Sequence, residues 1–339
     1  MPGSTPRPED LLSVTKRGLY CAPGDFFIDP HGKTDRAVIT HGHGDHARPG
    51  HAHVLATSET LAIMRARYGD KAGASMQPLS YNEPLDINGV QVRLAPAGHI
   101  LGSAQAVLEW RGVRIVVSGD YKRRDDPTCA AFEPVPCDVF VTEATFALPV
   151  FRHPSDRAEI AKLLASVALY PERCHLVGVY ALGKCQRVIA LLREAGYDRP
   201  IWIHGALAPL CDLYQNHGVS LGALKHVTPD DMKALAGEIV LAPPGATAKN
   251  WARDLPDPVV AMASGWMRVR GRARQRGVEL PLIISDHADW DELTTSLADV
   301  AAPRVWVTHG REDALVHYAR AQGIDAEPLS LVGYEEEGE

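Results

Sequence analysis

Three imidazoles and a carboxylate stand within six residues at His41-Gly42-His43-Gly44-Asp45-His46, directly after the apolar run Ala37–Thr40. On a regular strand or helix these four side chains would diverge and could not all reach one small cation. In a tight, glycine-containing loop at a strand end they can splay towards two adjacent metals. Imidazole nitrogen and carboxylate oxygen suit zinc, and also manganese or iron. A histidine-rich surface loop is the bland alternative, and the order H-x-H-x-D-H after a strand argues against it. A second constellation is basic: Arg268, Arg270, Arg272, Arg274 and Arg276 recur at every second position. If extended, that segment puts five guanidinium groups on one face, suited to bidentate phosphate contacts. If helical, it spreads them around the axis and the case for a phosphate track weakens.

The elements that must position these residues are legible in the apolar periodicity. Short β-rich runs occur at Val90–Ala95, Ala104–Trp110, Val113–Val117 and Val139–Thr142, a spacing that predicts a largely antiparallel sheet. After Pro154 the period changes to that of helices. Helix Ser155–Tyr170 leads into strand His175–Tyr180, helix Gly183–Ala195, strand Pro200–His204 and helix Ala206–His217, as in a parallel βαβ layer. The chain end alternates too: strand Leu282–Ser285, helix Asp289–Val300, strand Arg304–Thr308 and helix Glu312–Gln322. The acidic stretch Glu335–Glu339 reads as frayed and solvated.

Composition limits the function classes. The chain has 339 residues, 45% hydrophobic and 23% charged, which excludes disorder, collagen and coiled coil and fits about two domains. A membrane span needs ~20 apolar residues in a row. The longest stretch free of Asp, Glu, Lys and Arg is Leu94–Leu108, which contains Pro, Gly, His, Ser and Gln. Met1–Asp10 has no apolar h-region, and the six cysteines form no C-x-x-C pair, so a cytoplasmic protein with reduced thiols is expected. A net charge of −7 disfavours a polyanionic partner only if charge is uniform, and the arginine run shows that it is not. His51 and His53 form another H-x-H without a following Asp-His, so a surface or substrate-contacting role is expected of them.

The H-x-H-x-D-H signature resembles that of the metallo-β-lactamase superfamily, whose further ligands have counterparts in order. His99 lies in Ala97-Gly98-His99-Ile100-Leu101-Gly102-Ser103, and Asp120 in Ser118-Gly119-Asp120-Tyr121 after an apolar strand. Asp35 matches the upstream aspartate that orients a ligand histidine. Glu143-Ala144-Thr145, Ser285-Asp286-His287 and Thr308-His309 then resemble motifs A, B and C of the β-CASP nucleases. Tyr180–Gln186 is similar to that family's A-x-G-[RK]-x-Q turn, and Ala263–Met267 to its A-S-x-G-M segment with one residue missing. Within the family, the opening Gly18–Phe26 and the run Ala47–His51 resemble the group called ligase-associated DNA exonucleases.

The resemblance implies an α/β fold, an αββα metallo-β-lactamase domain of residues 1–150 and 281–339 with a β-CASP α/β domain inserted at 151–280. It implies that two divalent metal ions, zinc first and manganese or iron as alternatives, are held by His41, His43 and His99 and by Asp45, His46 and His309, with Asp120 bridging. A water then attacks phosphorus in line, His287 protonates the leaving oxygen, and Glu143 orients His287. Lys122 and Arg123, which follow Asp120-Tyr121, would put positive charge beside the metals and join the arginine run in contacting nucleic acid. The implied activity is a DNA exonuclease, directed to 5′ ends and single strands, in DNA repair, with a DNA ligase and a helicase as implied partners and no membrane partner. His309 favours the alternative, an RNA-processing ribonuclease, because the RNA branch usually carries His at motif C. A catalytically inactive scaffold subunit, the third possibility, typically loses several ligands, and this chain keeps each one.

Overall fold

The structure, a computed structural model, describes residues 6–247 and 250–329. The acidic stretch Glu335–Glu339 lies outside the described residues. The chain divides into two compact units, Met1–Arg152 with His287–Gly338, and His153–Asp286.

The first unit contains two sheets. One has six strands in sequence order, Leu12–Thr15, Gly18–Cys21, Phe26–Ile28, Arg36–Val38, His51–Ala56 and Gly73–Pro78. The other has seven, Leu85–Ile87 at one edge, then Val90–Pro96, Ala104–Trp110, Val113–Val117, Val139–Ala144, Arg304–Gly310 and Asp325–Pro328. Alternation along the strands decides what each face buries, because successive side chains point to opposite sides. Val113, Ile115, Val117, Val139 and Val141 join Phe26, Ile28, Val38 and Leu55 in a core between the sheets. Val116 and Phe140 face the other way, against Leu293, Leu297 and Val300 of helix Trp290–Val300 and Leu315 and Ala319 of helix Glu312–Ala321. On the outer side of the six-stranded sheet, Ala37, Ile39, Val54 and Ala56 pack on Leu61 and Met64 of helix Ser58–Tyr68. The result is four layers, helix–sheet–sheet–helix, in an α/β fold.

Two expectations need correction. The seven-stranded sheet is antiparallel only from Leu85–Ile87 to Val113–Val117; its remaining pairs are parallel. Long excursions of chain, not hairpins, join those later strands, so strand length alone could not report their direction. The strand expected at Leu282–Ser285 lies instead at Leu280–Leu282 and ends where it was expected to start.

In the second unit every pair in a six-stranded sheet is parallel. Its central strands, such as Ile239–Ala242 and His175–Gly178, are near-continuous apolar runs and fully buried, as two-sided cover demands. Helices Asp156–Leu169, Lys184–Glu194 and Ala208–Asn216 lie between strands in sequence, close to the expected ranges. Buried ion pairs join Arg187 to Asp156 (2.7 Å) and Lys184 to Asp286 (2.6 Å) within this unit. All six cysteines are free thiols.

Candidate metal centre

Strand Arg36–Val38 ends just before the H-x-H-x-D-H loop, so the sheet delivers the loop to the rim of the first unit. Arg67, on helix Ser58–Tyr68, donates to the Gly42 carbonyl at 2.7 Å and holds the loop backbone. His99 arrives on the Ala97–Ser103 turn. The Ser103 hydroxyl accepts from the backbone of His99 (3.1 Å) and Ile100 (3.2 Å), while Thr57 caps the neighbouring helix and donates to the Gly102 carbonyl (2.7 Å). Gly98 is required here: its φ is +75°, and a Cβ would meet the Lys122 carbonyl oxygen at 2.1 Å. Asp120 follows strand Val113–Val117, and His309 sits at φ +55°, an uncommon backbone region for a histidine.

These elements bring four donors together. Ligating atoms of His41, His43, His99 and Asp120 lie within 4.8 Å of one another. His41 Nε2 is 3.4 Å from Asp120 Oδ2, His99 Nε2 is 3.9 Å from the same oxygen, and His99 Nε2 is 2.9 Å from His43 Nδ1. Tetrahedral ligands on bonds of ~2.1 Å stand about 3.4 Å apart, so the spacing fits a transition-metal ion. His41 Nε2 is fully buried and makes no hydrogen bond, a costly state that a metal would relieve. Burial pushes the His41 imidazole well below its ordinary pKa, favouring the neutral form that coordinates. Burial opposes ionisation of Asp120, but the neighbouring His46 and His287 outweigh it and hold the carboxyl well below the usual range.

The other expected ligands are nearby but less tightly grouped. His46 Nε2 is 3.4 Å from Asp120 Oδ2 and 3.5 Å from Asp45 Oδ2, and the His309 ring centroid lies 5.1 Å from that of His46. Burial lowers the His309 pKa to about 4. Among the described residues, the second donor group within 4.8 Å is Asp120, Glu143 and His287. His287 Nδ1 lies 3.0 Å from Glu143 Oε2, and its ring centroid 4.7 Å from that of His99. Glu143 also accepts from the Tyr121 backbone at 2.8 Å. Burial pushes the Glu143 carboxyl up.

Several expected residues stand elsewhere. Asp35 is solvent-exposed at 71% and faces Arg36 at 3.9 Å, away from any ligand. The carboxylate that meets the Nδ1 side of His46, an expected ligand, is Asp29: its Oδ2 is 2.8 Å from His46 Nδ1, and its other oxygen accepts from the Thr40 backbone at 2.8 Å. Its one sequence signal is an acidic residue ending the apolar strand Phe26–Ile28. Lys122 is buried, its Nζ donating to the His287 carbonyl, and Arg123 pairs with Asp299, so neither presents a free cation to a polyanion. His51 is buried as well, its Nδ1 bonded to Thr34, while His53 is exposed. In the second unit the arginine segment is not extended. Gly265–Arg268 and Arg270–Gln275 are short helices, Arg272 stacks on Trp266 at 3.9 Å, and Arg276 contacts Met262 sulfur. Arg268, Arg270 and Arg274 point to solvent. No helix among the described residues is long and apolar enough to cross a membrane.

No protein-family model matches the chain. It is similar to a probable DNA ligase of Opitutus terrae, 28% identical over 91% of this chain and 30% of that protein. It is also similar to cleavage and polyadenylation specificity factor subunit 3-I of Arabidopsis thaliana, 24% identical over 88% of this chain and 54% of that protein. The chain thus spans less than two thirds of either relative. A crystal structure of a protein of unknown function from Enterococcus faecalis superposes with a TM-score of 0.60 over 90% of this chain and 82% of that one, at 14% identity, a likeness of fold. With four donors converging in the first unit and relatives of these kinds, the chain resembles the β-CASP nucleases of the metallo-β-lactamase superfamily.

Proposed function

We propose that the chain is a metal-dependent phosphodiesterase that degrades DNA as an exonuclease, directed to 5′ ends and single strands, in DNA repair. The observation that carries the reading is the convergence of His41, His43, His99 and Asp120 on one point, beside a His287–Glu143 pair. Asp45, His46 and His309 would complete a second metal position, with Asp120 shared. Divalent ions held there supply Lewis acidity and lower the pKa of a water, the requirement for attack on a phosphodiester at neutral pH. The protein does the rest. Asp120 stays ionised, Asp29 fixes the His46 ring, and Glu143 takes the Nδ1 side of His287 so that Nε2 can carry a proton to the leaving oxygen.

The relative named a probable DNA ligase supports DNA as substrate and a ligase as partner; a helicase partner rests on the sequence resemblance alone. The relative named for cleavage and polyadenylation, together with His309, favours RNA instead. One assay decides. Matched 5′-labelled single-stranded DNA and RNA are incubated with protein loaded with Zn²⁺, Mn²⁺ or Mg²⁺. Release of the label from DNA as a short 5′ product without a ladder of labelled intermediates, with RNA spared, supports the reading; RNA cleavage with DNA spared overturns it.

A further inference from the structure

We propose that Lys122 is a positioning residue for His287, fixing the histidine's backbone while Glu143 aims its ring. The inference rests on the reading of His287 as the group that protonates the leaving oxygen. Lys122 lies two residues after Asp120 in the first unit, and its side chain is 0% exposed. Its Nζ donates to the His287 carbonyl oxygen at 3.2 Å and to Glu292 Oε2 at 3.3 Å. Glu292 is itself held, its Oε1 accepting from the backbone of Arg123 (3.0 Å) and of Arg124 (2.8 Å). One residue on, the Ala288 backbone donates to the Tyr121 carbonyl at 2.7 Å. The Tyr121 N–H in turn reaches Glu143, the carboxylate on the His287 ring. The chain leaving Asp120 is therefore laced to the chain around His287 at main chain and side chain alike.

Stability alone does not explain this choice of residues. Glu292 is already engaged by the Arg123 and Arg124 backbone and by the Arg124 side chain, and a buried lysine–glutamate pair pays for desolvation about what it gains in attraction. What an apolar residue at 122 would lack is a donor for the His287 carbonyl. A proton donor displaced by ~1 Å loses much of its effect, with rate costs near 10²-fold, so holding its backbone has a catalytic return.

The test uses the metal-loaded full chain and two substrates. One is whichever unmodified single strand the parent protein degrades, whose leaving oxygen needs a proton. The other is bis(para-nitrophenyl) phosphate, whose nitrophenolate departs without one. Lys122→Met should lower kcat on the nucleic acid roughly 10- to 100-fold with KM and metal content near those of the parent, and should change nitrophenyl release little. His287→Ala is the control and should show the same dependence on leaving group. Equal losses on both substrates for Lys122→Met, or no loss on either, while His287→Ala discriminates, would overturn the positioning role and leave His287 standing. Equal losses on both for His287→Ala would overturn the general-acid reading and the inference with it. If Lys122→Met fails to fold because Glu292 is left charged and buried, Lys122→Met/Glu292→Gln removes both charges and carries the same expectation.

Discussion

The His41–His46 loop and the Arg268–Arg276 segment are both dense in one kind of chemistry, and the structure treats them in opposite ways. In the loop, glycines and a strand end fold the histidines inward until the ring centroids of His41 lie 4.2 Å from His46 and 5.0 Å from His43. In the arginine segment, helices turn alternate residues to opposite sides, so Arg270 and Arg274 share one face while Arg272 and Arg276 return to Trp266 and Met262. Density in sequence becomes a site only where the backbone makes side chains converge. Burial marks the difference: His41, His99 and Asp120 are withdrawn from water, whereas Arg270 and Arg274 are exposed.

The largest effect is expected where convergence is tightest. Asp120→Ala removes the one carboxylate that faces His41, His46 and His99, and His43→Ala removes a nitrogen 2.9 Å from His99. Either should abolish phosphodiester cleavage and lower bound metal, read by elemental analysis of protein prepared without chelators. Near-normal activity in Asp120→Ala would break the comparison at its strong end. Next comes His287→Ala, expected to cost roughly 10²–10⁴ in rate with metal content intact. Loss of metal in that variant would make His287 a ligand, as its grouping with Asp120 and Glu143 within 4.8 Å permits.

How far the sequence could be read follows from the range of the contacts involved. His41, His43, Asp45 and His46 are neighbours in the chain, so their loop announces itself, and the layers follow from apolar alternation in runs such as Val113–Val117. Asp29 could not be found that way, since it meets His46 across 17 positions and only the pairing of strands brings them together. Nor could the burial of Lys122, whose acceptors on His287 and Glu292 lie more than 160 positions away. A charged residue next to a site looks available for substrate until its distant partner is known.

Asp29 sharpens the contrast at intermediate size. A carboxylate that orients a ligand histidine typically accounts for about 10- to 100-fold in metal affinity. Asp29→Ala should weaken binding by that amount in a chelator competition, while Asp35→Ala, exposed and remote from the histidines, should leave it unchanged. A reversed pattern would return Asp35 to the role expected from the sequence.

The smallest effect belongs to the arginine segment, and its helical form makes the expectation specific. Each phosphate neutralised by a basic side chain releases counterions, so log affinity falls with log salt at a slope of about −0.7 per contact on single strands. Were the segment extended, Arg270, Arg272 and Arg274 would count alike. In the helix, Arg272 is committed to the Trp266 ring at 3.9 Å, whereas Arg270 and Arg274 lie one turn apart on an exposed face. Replacing Arg270 and Arg274 with Gln should therefore flatten the salt slope by about 1.4 if both touch phosphate, and binding should weaken similarly for all sequences. Arg272→Gln should leave the slope almost unchanged and show its cost in thermal stability instead, since a cation over an indole contributes roughly 0.5–1 kcal/mol at a partly exposed site. Equal slopes for both variants and the parent protein would make the segment a solvated helix with no share in substrate binding.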